Sequence, residues 1–174
     1  FYKLATTIAK DIVEMGFGVI TGGGPGIMEA ANKGAKEALG SSVGLNIELP
    51  FEQDHNKFID DDKLLEFDYF FVRKVMFVKY SQGFVVMPGG FGTLDELFEA
   101  ITLIQTKKLQ KFPIILVGSK FWDKCYTWIK STLVDDFNYI SPSELNLISI
   151  VDSSKEVIEI LSKFYKQKSI SPNF

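Results

Sequence analysis

A chain of 174 residues, 46% hydrophobic and 24% charged, suits one globular domain with a real apolar core and excludes a disordered or fibrous class. A net charge of −3 without any dense run of Lys and Arg argues against a nucleic-acid surface, so an anionic ligand must be held by local features. One cysteine, Cys125, leaves no internal disulfide, and neither a bilayer-length apolar run nor a signal-peptide pattern occurs; the expected location is the cytoplasm, with no membrane partner.

In chain order, Leu4, Ile8, Ile12 and Met15 form a helical stripe over 2–15, and FGVIT at 17–21 reads as a short buried strand. The glycine-rich GGGPG breaks the chain before a second helix at 25–39, with Pro25 suited to its first position. A strand at 42–49, an acidic polar loop at 50–62, a weak strand at 63–67 and a mostly apolar helix at 70–82 follow. The strand at 83–88 leads into a helix opened by Thr93; then come a strand at 113–118, a helix at 121–134, a strand at 147–151 and a last helix from Ser153. This alternation predicts an α/β fold, a single domain over 1–174 whose parallel sheet is covered by helices on both faces.

In parallel sheets ligands sit at the carboxyl ends of strands, where loops enter helix N-termini. Two loops have that build, TGGGPGIMEAA (21–31) and MPGGFGTLDEL (87–97). Glycines allow close approach of the backbone, and free N–H groups with the helix dipole attract an anion; the competing reading is a pair of tight strand-to-helix turns. Neither loop matches the dinucleotide pattern G-x-G-x-x-G in any frame, nor the P-loop pattern G-x-x-x-x-G-K-[ST]. A monophosphate held by backbone donors fits what remains, with no cofactor and no metal.

Glu96 has two readings. With Thr93 as N-cap it completes a capping box, S/T-x-x-E, in which Asp95 favours the helix dipole; alternatively it is a catalytic carboxylate. Of nineteen basic residues only Arg73 is arginine, within the apolar helix DYFFVRKVMFVKYSQ. A guanidinium suits bidentate contacts to phosphate, carboxylate or a base edge, and the alternative is an ordinary salt bridge. The apolar surplus of that helix suggests a subunit interface, hence a homodimer or larger homo-oligomer. Lys74 is either a weaker binding candidate or a solvated surface lysine, Glu29 is either a site carboxylate or a dipole-favouring surface group, and His55 reads as a solvated loop residue.

The stretches TGGGPGIMEAANKGA, Arg73–Lys74 and PGGFGTLDE resemble the Lonely Guy family, also called "possible lysine decarboxylase", whose signature is P-G-G-x-G-T-x-x-E. The signature is matched in full at Pro88, Gly89, Gly90, Gly92, Thr93 and Glu96, and the resemblance continues through FPIILVGSKFWDKCYTWI and ISIVDSSKEVIEIL. It implies a three-layer Rossmann-like fold, homo-oligomers, and hydrolysis of nucleoside 5′-monophosphates such as AMP or cytokinin riboside monophosphates to free base and ribose 5-phosphate. It also implies Arg73 and Glu96 as catalytic residues, with Gly22, Gly23, Gly24, Gly26, Gly89, Gly90, Gly92 and Thr93 holding the phosphate; Pro88 and Lys74 are further substrate-binding candidates. The family's first strand, which ends in a small-residue loop bordering the nucleotide, has no counterpart in this chain. No lysine sits in a recognisable pyridoxal site, so decarboxylation is not expected. The rival expectation is a noncatalytic nucleotide sensor or a molybdenum-cofactor carrier, which share related folds.

Overall fold

The computed structural model describes residues 1–48, 55–166 and 173, which fall into two compact units, Phe1–Ser81 and Gln82–Phe174. In the first, α1 (Tyr2–Glu14) precedes β1 (Val19–Thr21), α2 (Ile27–Glu37), β2 (Ser42–Ile47), β3 (Leu64–Phe67) and α3 (Phe70–Tyr80). The strands form a parallel sheet in the order β1-β2-β3, with Thr21 opposite Gly44 and Ile47 opposite Phe67. Helix α1 packs along α2, and the alanine-rich face of this pair (Ala5, Ala9, Ala30, Ala35) is buried with Ile8 and Leu45. Small side chains let two helices approach closely, which is why this core is built from alanine rather than leucine.

The second unit contains β4 (Phe84–Val86), α4 (Phe91–Gln105), β5 (Ile114–Val117), α5 (Ser119–Trp128), β6 (Ile148–Val151) and α6 (Ser154–Tyr165). Its strands are again parallel, in the order β4-β5-β6. Central β5 is the continuous apolar run Ile114–Val117 with all four residues buried, as a parallel strand covered on both faces requires. At about 1.5–3 kcal/mol for each fully buried aliphatic side chain, this one strand is a principal source of the unit's stability. A π-type segment, Ile129–Asp136, continues α5, and a 3-10 helix, Pro142–Leu147, enters β6.

The α/β fold with parallel sheets flanked by helices is thus as expected, and every predicted helix and strand is present. Residues 49–54, the end of the expected strand and the start of the expected acidic loop, lie outside the described residues. Three helix starts differ. Helix α2 begins at Ile27 with Gly26 as N-cap rather than at Pro25. Helix α5 starts at Ser119, not 121, because Gly118 turns left-handed and Ser119 N–H donates to Asp152 Oδ1 at 2.8 Å. Helix α4 starts at Phe91, two residues before Thr93, with Gly90 as N-cap accepting from the Leu94 N–H. No described helix is long and apolar enough to cross a membrane.

Candidate active site

Both glycine loops follow the carboxyl end of a parallel strand and run into a helix N-terminus. The first leaves β1 at Thr21 and enters α2. Gly23 and Gly26 have φ of 78° and 73°, values that favour glycine, so the chain folds over itself between strand and helix. The loop is held from within: Gly23 N–H donates to Thr21 Oγ1 at 3.0 Å, and Thr21 donates to Asn32 Oδ1 at 2.6 Å. A side chain on Gly22 would place its Cβ 3.8 Å from Nη1 of Arg73 and 2.8 Å from Sδ of Met28. The lone arginine therefore lies over the loop.

Arg73 reaches that position from α3 between two rings of its own helix. Its Cζ stands 5.2 Å from the Phe70 ring centroid and 5.8 Å from that of Phe77, cation–π contacts at i−3 and i+4 that restrict the planar group. Its Nε is shielded from solvent. A guanidinium restricted in this way over a glycine loop has the geometry and charge to contact a phosphate or a carboxylate. Lys74 follows on α3 and is half-buried. Glu29, in the first turn of α2, accepts a 2.6 Å hydrogen bond from Tyr2, and that bond raises the tyrosine pKa, so the carboxylate reads as a surface and dipole group. His55 is exposed, as expected for a loop histidine.

In the second unit, the loop Pro88–Gly90 joins β4 to α4. A Cβ on Gly89 would overlap Thr93 Oγ1 and stand 2.8 Å from Thr93 Cβ, so only glycine leaves room for the threonine hydroxyl at the helix entrance. That hydroxyl and the first N–H groups of α4 form a donor cluster suited to an anion. The capping-box reading of Glu96 does not hold. With Gly90 as N-cap, Thr93 is the third helical residue, Asp95 falls outside the first turn, and Glu96 lies more than a turn into α4, beyond reach of the cap N–H. Both Glu96 carboxylate oxygens are shielded from solvent. A capping box does form at Ser141–Glu144, and Ser153 caps α6 by accepting from the Glu156 N–H while its hydroxyl donates to the Glu156 carboxylate.

The structure thus brings Arg73 to the glycines of the first loop, and places Thr93 and Glu96 on the helix that the second loop opens. Sequence reasoning missed a buried polar group beneath the first loop, formed by Thr21, Asn32, Ser42 and Asn56. The only available signal was polar residues at otherwise core-facing positions of α2 and β2. Among the described residues no group of three or more His, Cys, Asp or Glu is placed to hold a metal ion.

The family model described as "Possible lysine decarboxylase" matches residues 28–161, a span that includes Arg73, the second loop and Glu96. The chain belongs to this family. It is 31% identical to a cytokinin riboside 5′-monophosphate phosphoribohydrolase of Mycobacterium tuberculosis over 90% of this chain and 82% of the relative. It is 26% identical to the Arabidopsis thaliana cytokinin riboside 5′-monophosphate phosphoribohydrolase LOG5, over 92% of this chain and 69% of that one. The Lonely Guy resemblance is therefore borne out. Among solved structures, the molybdenum cofactor carrier protein of Chlamydomonas reinhardtii superposes with a TM-score of 0.67 at 22% identity, covering 96% of this chain and 88% of that one, which supports the shared fold.

Proposed function

We propose that this member of the family hydrolyses the N-glycosidic bond of nucleoside 5′-monophosphates, AMP or a cytokinin riboside monophosphate, giving free base and ribose 5-phosphate. Similarity over nine-tenths of the chain to a phosphoribohydrolase supports the reaction class. The observation that carries the reading here is the Arg73 guanidinium set over Gly22 of a helix-entry loop, an arrangement made for a phosphate-bearing ligand. The proposal treats residues 1–174 as one nucleotide-binding domain.

Phosphate binding is assigned to the loop glycines and Thr93, and it supplies remote binding energy for placing the anomeric carbon. As the bond from C1′ to the base nitrogen breaks, its electron pair leaves with the base, which takes up a proton, and positive charge develops on the ribose ring. Glu96 stabilises that charge and accepts a proton from the water whose oxygen bonds to C1′. Arg73 contacts the nucleotide. A carboxylate shielded from solvent is suited to this work, because its field is less screened than in water.

The test compares AMP with adenosine, following free adenine by chromatography. Release from AMP alone supports the phosphate anchor. Equal release from both would contradict it, and no release from any nucleoside monophosphate, N6-substituted ones included, would favour a noncatalytic binding module.

A further inference from the structure

The polar group beneath the first glycine loop has a direction. At one end Ser42, at the start of β2, exchanges hydrogen bonds with Asn32 of α2: Asn32 Nδ2 donates to Ser42 Oγ at 2.9 Å, and Ser42 Oγ donates to the Asn32 carbonyl at 3.3 Å. At the other end Asn56 faces the loop. Its backbone N–H donates to Gly23 O at 2.8 Å, and its side-chain Nδ2 stands 3.0 Å from Gly23 O, 3.1 Å from Gly24 O and 2.9 Å from Asn32 Oδ1. Asn56 Oδ1 in turn accepts from Phe58 N–H at 3.1 Å. Asn32 is fully buried and Asn56 is 6% exposed. Two amides would be costly there without partners, and every polar atom of both has one.

We infer that Asn56 is a positioning residue that aims the first glycine loop at the phosphate of the substrate; the inference rests on the functional reading above. In a planar trans peptide the N–H points opposite to the C=O, and the described residues contain no cis peptide. Two donors from Asn56 hold the Gly23 carbonyl, so the N–H of Gly24 is turned to the opposite side, away from the protein interior. The next carbonyl, that of Gly24, is held by the same Nδ2, and Pro25 has no N–H to present. Gly23 N–H is already engaged by Thr21, which makes Gly23 a structural glycine and Gly24 a ligand donor. Three successive glycines would otherwise sample many orientations, and binding would have to order them; a clamp that orders them beforehand removes that cost.

The experiment measures ribose 5-phosphate affinity by calorimetry, and KM and kcat for AMP, in wild type, Asn56→Ala and Ser42→Ala. Ser42→Ala breaks the far end of the same polar group and controls for lost stability. Asn56→Ala is expected to weaken ribose 5-phosphate binding and raise the AMP KM by roughly tenfold, the scale of one well-aligned hydrogen bond, with a smaller change in kcat. Ser42→Ala, at a comparable loss of melting temperature, should stay within about twofold of wild type, since both donors to the Gly23 carbonyl and the donor to the Gly24 carbonyl belong to Asn56 and remain in place. Asn56→Ala binding like wild type, or Ser42→Ala losing as much affinity, would overturn the clamp and leave the functional reading intact. A wild type that binds no ribose 5-phosphate would remove that reading, and the clamp with it. If Asn56→Ala does not fold, ¹⁵N-glycine-labelled wild type decides: ribose 5-phosphate should shift the Gly24 amide resonance more than that of Gly23, and an unmoved Gly24 amide would overturn the proposal.

Discussion

Substituting Gly89 by alanine should separate the packing of the second loop from its chemistry. A Cβ there overlaps Thr93 Oγ1, and stands 2.8 Å from Thr93 Cβ and 3.1 Å from its Cγ2. Threonine is branched at Cβ and stiff at χ1 within a helix, so the clash moves the loop or the start of α4 rather than one flexible group. Overpacking of this kind costs about 1–3 kcal/mol, against a gain of about 0.4–1 kcal/mol because alanine restricts the unfolded chain more than glycine does. The clash wins, leaving a net loss of roughly 1–2 kcal/mol and a fall in Tm of about 2–8 °C for a chain of this size. Adding Thr93→Ala removes the overlap and the 3.1 Å contact but keeps a Cβ at 2.8 Å, so the double variant should recover part of the stability. It should not recover hydrolysis of nucleoside monophosphates, because the hydroxyl is gone; Thr93→Ala alone should melt near wild type and be impaired in turnover. Calorimetric melting and chromatographic base release read the two effects. Gly89→Ala melting with the wild type, or a double variant restored in both readouts, would refute the reasoning.

Arg73→Lys keeps the charge but loses the planar fork held between Phe70 and Phe77, so turnover should fall at least about tenfold, or ~1.4 kcal/mol, with the fold retained by circular dichroism; unchanged turnover would contradict a binding role. Lys36, Lys63 and the Ser42 N–H hold the Asp60 carboxyl well below the usual range, so Asp60→Asn should cost about 1–3 kcal/mol at neutral pH. A depressed carboxylate contributes stability above its unfolded pKa of ~3.9 that is lost as pH falls toward the folded value; the gap between wild type and variant should shrink below that pH, and a constant gap would contradict the ion pairs. Phe71 is 67% exposed and Phe70 and Val75 are each 49% exposed on α3, so light scattering at micromolar concentration should show a dimer or larger species, and a monomer would refute the interface reading.

The strands were legible because parallel strands buried on both faces are short apolar runs, as at Ile114–Val117, and the loops because glycine clusters interrupt periodicity. The start of α4 was not. Thr93 and Glu96 have the spacing of a capping box, but Gly90 caps the helix through its backbone, a solution that leaves no side-chain pattern to read. The lone arginine stood out as a candidate by its rarity, yet its place over Gly22 depends on the turn of α3 and not on spacing. Asn56 could not have been found: a polar residue in a polar loop looks solvated, and its burial comes from carbonyls of a loop more than thirty positions away. Asn32 was hidden similarly, a polar residue within a helical pattern whose partners lie on β1, β2 and the loop.

Glu96→Gln tests the central claim most directly, read as the rate of free-base release from nucleoside 5′-monophosphates beside ribose 5-phosphate affinity. Glutamine preserves size and polarity at a position that closes no capping box, so melting temperature and product affinity should stay near wild type. If the carboxylate stabilises the ribosyl cation and takes the proton of the water, release should fall by on the order of 10²–10⁴, the range for a lost acid–base group. A Glu96→Gln protein releasing base at near wild-type rate would contradict the assignment of the chemistry to Glu96.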